Sequence, residues 1–127
     1  MRAVLLKPGK YARVVDIKPT YSSLRDALGG NIEMTYPFPD EYIAVLTNEE
    51  ARLMDLRPNR ARRVDGAVVD IYYGSMIVVG LMPEGEYVDL TRDEIELIMQ
   101  EWLEPETRDN WAGYKPQNTA LIGGVYA

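Results

Sequence analysis

Residues 67–81, AVVDIYYGSMIVVGL, hold two runs of β-branched and aromatic residues that decide the fold class. The runs are Ala67 to Tyr73 and Ser75 to Leu81, with Gly74 between them. Such residues are enriched in strands that pack in a core, and the glycine permits a turn or a sharp bend. We therefore predict two buried strands here, either as a hairpin or as one sharply bent strand.

Four more strands are predicted on the N-terminal side of this stretch. Val, Leu and Ile are frequent at 2–7 and 10–17, and the Pro8-Gly9 pair between these segments suits a hairpin turn. Residues 32–36 alternate apolar and polar positions, and 42–46 form a further apolar run. Together with 67–81, these segments predict about six strands.

Two short helices are predicted between the strands. Residues 21–28 place apolar side chains at helical spacing and are followed by a glycine pair that ends the helix. Thr47 has Glu50 three residues later, the capping-box spacing in which a hydroxyl and a carboxylate satisfy backbone donors at a helix start. We therefore expect a second helix that begins at Thr47 and ends near Asp55.

A third helix is predicted from Thr91 to Leu103. Thr91 and Glu94 repeat the capping-box spacing, and apolar residues follow at i, i+3, i+4, i+7 and i+8. Pro105 ends the pattern, because proline cannot continue a helix. This segment is predicted to have one apolar face and an acidic back.

The order of these elements predicts an α+β fold. We expect a mostly antiparallel sheet of about six strands with three short helices, largely on one face. The length of 127 residues suits one domain. Residues 1–104 are predicted to form this domain, and 105–127, which lack a clear periodicity, a C-terminal arm or tail.

The composition excludes several kinds of chemistry. There is no cysteine and no histidine, so disulfides, thiolate zinc sites and imidazole proton transfer are ruled out. No P-loop or nucleophile elbow is present. A carboxylate pair or a magnesium site from Asp89, Asp93 and Glu94 stays open in principle, although these acids are spaced as at a helix start. We expect a non-enzymatic protein without a cofactor.

Charge and hydropathy limit the partners. No stretch approaches the roughly 18 apolar residues of a membrane span, and no signal peptide is recognised, so we expect a cytoplasmic protein without a membrane partner. The formal net charge of −6 disfavours nucleic acid. Five arginines nevertheless lie within 52–63, whereas 84–109 hold ten acids. This asymmetry indicates either an anion-attracting face or two solvated surfaces that partly pair.

The arginine-rich segment contains the strongest candidate site, the pair Asn59-Arg60. It follows Pro58 on what we predict to be a stiff loop, where an amide and a planar guanidinium suit a carboxylate, a phosphate or a base edge. In the competing interpretation, Arg60 pairs internally with Asp70 or Glu33 and fastens the loop onto the sheet. Both interpretations stay open from the sequence.

Other candidates have equally ordinary alternatives. Asp70 lies inside an apolar run, where a carboxylate needs a partner, so it is either an internal clamp or part of a site. Tyr72 can stack a base or pack in the core. Asn48 and Glu49 can present polar groups or belong to the predicted helix start. The full candidate ligand-binding set is Asn48, Glu49, Arg57, Asn59, Arg60, Asp70 and Tyr72.

Several short motifs are similar to those of a known family. They are 29–33 (GGNIE), 36–38 (YPF), 48–50 (NEE) and 56–61 (LRPNRA), and in this order they resemble domain-of-unknown-function family 3846. Gly74 and Val79-Gly80 fit the same pattern. Members of that family occur in phages, plasmids and other bacterial mobile elements. The resemblance implies this context and implies no activity.

The leading functional hypothesis is an accessory protein of a phage or mobile element, acting in the host cytoplasm. It would bind a host protein or a small anionic, nucleotide-like ligand stoichiometrically, with counter-defence as one outcome. One alternative is a structural homo-oligomer assembled through the C-terminal arm. The other is a single-stranded nucleic-acid-binding module, which the net charge disfavours.

Overall fold

A six-stranded antiparallel sheet organises the chain. The computed structural model describes residues 1–39 and 42–114. Its helices are α1 (Tyr21–Leu28) and α2 (Arg92–Trp102), and a 3-10 turn spans Arg108–Trp111. The strands are β1 (Arg2–Leu6), β2 (Arg13–Asp16), β3 (Ile32–Thr35), β4 (Ile43–Asn48), β5 (Pro58–Val64), β6 (Ala67–Tyr73), β7 (Met76–Leu81) and β8 (Tyr87–Val88). The predicted α+β class is confirmed.

Strand β7 lies at the centre of the main sheet, whose order is β2-β1-β7-β4-β3 with β8 also paired to β7. Every pairing in this sheet is antiparallel. The two runs in 67–81 are both strands, as predicted, but they do not pair with each other. Gly74 lies between them with φ 74°, and β6 instead pairs with β5 in a separate two-stranded sheet.

Both faces of the main sheet are covered, which explains why β4 and β7 are almost continuously apolar. Leu24 and Leu28 of α1 pack on one face, and Ile98 and Trp102 of α2 pack on the other. The prediction that the helices lie largely on one face is therefore wrong. Successive strand residues point to opposite faces, so a fully apolar strand needs a cover on each side.

The predicted helix at 47–55 is also wrong, and the described residues contain two α-helices rather than three. Strand β4 continues through Thr47, which is buried in the sheet and pairs with Glu33 and Met76. The Asn48 Oδ1 atom accepts a hydrogen bond from the Glu50 backbone N–H at 2.9 Å. The capping box at Thr47 therefore does not form, because sheet pairing places Thr47 inside β4, and residues 49–55 form turns.

The two other predicted helices are confirmed. The capping box of α2 is formed, with Glu94 N 3.1 Å from Thr91 Oγ1 and Thr91 N 2.8 Å from Glu94 Oε1. Helix α1 begins after Thr20 and ends at Gly29, which has φ 79°. Both helices thus begin at a predicted cap, α1 ends at its predicted glycine, and α2 ends at Trp102, one residue before the predicted end.

The arginine-rich segment predicted as a loop forms strand β5, and β5 and β6 make a hairpin that packs beside α2. After α2 the chain crosses the outer side of this hairpin, where Trp111 packs against Ala61 and Ile71. The predicted arm therefore has a docked first part. Residues 115–127, on which the predicted arm-mediated assembly also depends, lie outside the described residues.

Candidate functional site

The β5–β6 hairpin determines where the candidate arginines lie. Directly opposed residues of an antiparallel pair share a face. Arg60 is opposite Tyr72, and Arg62 is opposite Asp70. These four side chains therefore lie on one face of the hairpin, and Ala61 lies on the other.

Arg60 is completely buried and uses its guanidinium inside the protein. Its Nε donates to the Trp102 carbonyl at 3.0 Å, its Nη1 to Asn59 Oδ1 at 2.8 Å, and its Nη2 to the Lys10 carbonyl at 2.7 Å. Burial lowers the pKa of Arg60, and the nearby Glu106 opposes this shift. The placement fits the internal interpretation, although the acceptors are Asn59 and carbonyl groups instead of Asp70 or Glu33.

Asn59 completes this internal arrangement. Its side chain is buried, and its Nδ2 donates to the Leu6 carbonyl at 2.9 Å and to the Gly74 carbonyl at 2.8 Å. Its Oδ1 accepts from Arg60. The pair joins β1, the turn before β7 and the end of α2. These groups hold the hairpin in place, and no contact of theirs supports a ligand.

Four of the predicted site residues meet at a cleft between the hairpin and the β3–β4 end of the main sheet. This Asp70 cleft has a volume of about 300 Å³ and is lined by Asn48, Glu49, Asp70 and Tyr72, among others. Asn59 and Arg60 are not part of its lining. Arg57 is not part of it either, since its exposed guanidinium lies beside Gly9.

The Asp70 cleft is acidic. Arg52 is the one cation that lines it in the described ranges, and its Nη2 lies 2.6 Å from Asp70 Oδ1. The same guanidinium donates to the Ile71 carbonyl at 3.1 Å and lies over the Tyr73 ring. Glu33 and Glu49 add two further carboxylates to the lining. Asp70 is thus a clamp, as one of its two interpretations predicted, but Arg52 is its partner.

Tyr72 connects the hairpin to the edge of the main sheet. Its hydroxyl lies 2.9 Å from Thr35 Oγ1, and its ring meets Trp102 edge-on with centroids 5.7 Å apart. The side chain is buried, and this burial raises the pKa of Tyr72. The ring packs in the core, as the ordinary alternative predicted.

A second cleft, of about 170 Å³, lies between α2 and the residues after β3. We name it the Arg62 cleft, because Arg62 is its distinguishing group. Within 1–39 and 42–114, Arg62 makes no hydrogen bond or ion pair, and its Nε is buried without a partner. The other lining residues are Pro37, Phe38, Arg63, Leu97, Gln100, Glu101 and Trp102.

The Arg62 cleft combines one unsatisfied cation with a wall that is partly aromatic. Phe38 and Trp102 meet edge-on, with ring centroids 5.4 Å apart. Arg63 is already paired with Glu106. The sequence analysis counted Arg62 among the arginines of its segment but did not choose it. A strand over 58–64 would have separated inward from outward arginines, and that strand was not predicted.

Comparison with known families places these residues in context. The pattern of the family described as "Domain of unknown function (DUF3846)" matches residues 1–103. The chain belongs to this family. The comparison with curated proteins gave no match, and neither did the comparison with solved structures.

The family match spans both clefts and every residue that lines the Arg62 cleft. It ends before Glu106 and Trp111, which dock onto the outer side of the hairpin. No helix in the described part of the chain is long and apolar enough to cross a membrane. The described acidic side chains form no group of three or more that could hold a metal ion.

Proposed function

We propose that this protein is a non-enzymatic accessory protein that binds an anionic group stoichiometrically in the Arg62 cleft. The observation that carries the proposal is the partly buried guanidinium of Arg62, which has no partner among the described residues. A charge withdrawn from water without a partner costs free energy. A bound carboxylate or phosphate would remove this cost.

The chemistry of the cleft fits such a group. A guanidinium donates two parallel, charge-assisted hydrogen bonds to a carboxylate or a phosphate. The rings of Phe38 and Trp102 form an apolar part of the wall, and a lower local dielectric beside them strengthens such bonds. Glu101, which also lines the cleft, lies beyond ion-pair distance of Arg62. The anion therefore has Arg62 as its main partner.

The size of the cleft favours part of a ligand over a whole one. Pockets for complete drug-sized ligands are about 300–1,000 Å³, whereas this cleft is about 170 Å³. It suits an acidic side chain of a host protein, or one phosphate of a nucleotide-like ligand whose remainder lies outside. Action on a host protein in the host cytoplasm, including counter-defence, is part of the proposal and rests on the mobile-element context that the resemblance implies.

Calorimetric titration of the full chain tests the proposal. The probes are inorganic phosphate, a panel of nucleotides and a capped peptide rich in Asp and Glu. We expect at least one of the three to saturate at one equivalent without being converted. Arg62→Gln should weaken that binding at least tenfold, because it removes a charged partner in a desolvated site.

Arg92→Gln is the matched control. Arg92 is an exposed arginine on α2 whose one ion pair in the described chain is a long contact with Glu96, so its loss changes the net charge equally. We expect less than a twofold effect on binding. Equal effects of the two variants would show that the attraction is only a matter of net charge, and absence of binding by every probe would contradict the proposal.

A further inference from the structure

Strand β3 forms one edge of the main sheet, and no strand within 1–39 and 42–114 pairs with its outer side. It is the last strand in the order β2-β1-β7-β4-β3, so only β4 pairs with it. In the described residues, the backbone groups of 32–35 make no hydrogen bond other than those with β4. Two side chains of this strand are bonded, Thr35 to the Tyr72 hydroxyl and Met34 to the Tyr36 hydroxyl. Such an edge presents unpaired N–H and C=O groups to any extended segment that lies beside it.

The side of this edge that faces α1 is apolar and aromatic. Met34 is partly buried there, and the Tyr36 hydroxyl donates to its sulfur at 2.9 Å. Tyr36 and Tyr21 are each about half exposed. Tyr87 packs against the same apolar cluster as Met34. Tyrosine and methionine at a half-exposed surface are typical of protein contact sites.

The opposite side of the edge is acidic. Glu33 alternates with Met34, so its side chain lies on the face of the Asp70 cleft. It is exposed and has no ion pair or hydrogen bond in the described part of the chain. Glu49 lies nearby in the same lining, whereas Asp70 is paired with Arg52. A strand at this edge would meet negative charge on one face and apolar side chains on the other.

We infer that β3 is a strand-addition site for an extended segment of a partner protein, in which apolar and basic side chains alternate. The backbone edge provides hydrogen bonds, and the two faces select the alternating side chains. The apolar residues would lie against Met34 and Tyr36, and the basic residues against Glu33. This site is independent of the Arg62 cleft and of the function proposed for it.

A second copy of this chain fits the edge less well than a basic partner does. Antiparallel pairing of two β3 strands about a twofold axis would bring the Glu33 carboxylates of both copies close to each other. Like charges opposite each other on neighbouring strands are destabilising. The charge of the edge thus favours a partner of opposite charge.

Three capped ten-residue peptides test the inference with the full-length protein. The first alternates valine and lysine, the second is the same peptide with every second backbone N–H methylated, and the third alternates valine and glutamate. We expect only the first to bind and to slow amide hydrogen exchange in 32–35. Methylation should weaken binding at least tenfold, because it removes the donors for the ladder while keeping charge and side chains.

Two variants distinguish binding at the β3 edge from a general attraction between the acidic protein and a basic peptide. Glu33→Lys should weaken the valine–lysine peptide about fivefold, in line with the modest energy of an exposed ion pair. Glu96→Lys on α2 makes the same change of charge far from the edge in sequence and should leave binding within twofold. The inference is overturned if the methylated or the glutamate peptide binds equally well, or if protection appears elsewhere. A dimer in which 32–35 are already protected would also overturn it, because a second copy would then be the occupant.

Discussion

Two arginines on one face of strand β5 differ in whether their guanidinium groups have hydrogen-bond partners. Arg60 is completely buried and donates to three acceptors, whereas Arg62, two residues further along, has a buried Nε without a partner. The more buried arginine is therefore the one whose donors are satisfied. The comparison teaches that unsatisfied hydrogen-bond donors, rather than burial, distinguish the arginine that is available to a ligand.

The difference arises from what surrounds each guanidinium. Arg60 lies at the C-terminal end of α2, where the Trp102 carbonyl has no partner within the helix. A cation is also favoured there by the helix dipole. Trp102 in turn donates its Nε1 to the Ala61 carbonyl at 2.9 Å. Around Arg62 the cleft contains the rings of Phe38 and Trp102, and although Gln100 and Glu101 also line it, no described acceptor bonds the Arg62 Nε.

The largest change in the free energy of unfolding is expected for substitution of Arg60, whose hydrogen-bond donors are satisfied. Arg60→Met would leave the carbonyls of Trp102 and Lys10 and the Asn59 side chain without their donors. Each unsatisfied buried group costs about 1–3 kcal/mol, so we expect the free energy of unfolding to fall by about 3–5 kcal/mol. Urea denaturation followed by circular dichroism measures this change.

Arg60→Lys is the informative companion variant. Lysine keeps the positive charge but cannot form the planar fork, so an intermediate loss of about 2 kcal/mol is expected. A loss below about 1 kcal/mol for Arg60→Met would contradict the idea that this arginine fastens the hairpin.

At Arg62 we expect a substitution to raise the free energy of unfolding instead of lowering it. Arg62→Met replaces a partly buried cation, whose Nε has no partner in the described residues, with an apolar side chain of similar length that can pack against Phe38 and Trp102. We expect the free energy of unfolding to rise by about 1 kcal/mol, since the desolvation cost of the charge is removed. The same urea titration measures it. A decrease of more than about 1 kcal/mol would show that Arg62 has a structural partner and would weaken the proposed binding role.

The sequence predicted the elements that depend on local signals. The capping box at Thr91, the glycines after α1 and the hairpin of β1 with β2 are all confirmed. The same capping-box spacing at Thr47 was misleading, because Thr47 is buried in the sheet and Asn48 forms a turn instead. Tertiary pairing overrode the local signal at that position.

Strand β5 was missed for a different physical reason. Its sequence, PNRARRV, appears polar, and a buried strand is expected to be apolar. Asn59 and Arg60 can be buried only because carbonyls from distant parts of the chain accept their hydrogen bonds. No spacing in the sequence reveals such acceptors. Without the strand, the alternation that separates Arg62 from its neighbours could not be inferred.

The smallest change in stability is expected for substitution of Tyr72, which is opposite Arg60 in the hairpin. The pH dependence of stability at this residue shows whether this end of β5 excludes water. Burial raises the pKa of Tyr72 above that of an unfolded tyrosine, although the hydrogen bond with Thr35 opposes the shift. Below about pH 10 both states are protonated and the stability is unaffected. As the pH rises further, the unfolded state loses its proton first, so the stability must fall.

Tyr72→Phe should therefore cost about 0.5 kcal/mol at neutral pH, through the lost hydrogen bond, and should flatten the decline above about pH 10. Urea titrations between about pH 8 and pH 11 measure both effects. Tyr87→Phe is the matched variant, because the pKa of Tyr87 is also raised but its side chain is more exposed. Tyr87→Phe should reduce the fall in stability at high pH by less than Tyr72→Phe does. If Tyr72→Phe left the slope unchanged, water would reach the Tyr72 phenol in the folded protein, and the exclusion of water inferred for this end of β5 would be contradicted.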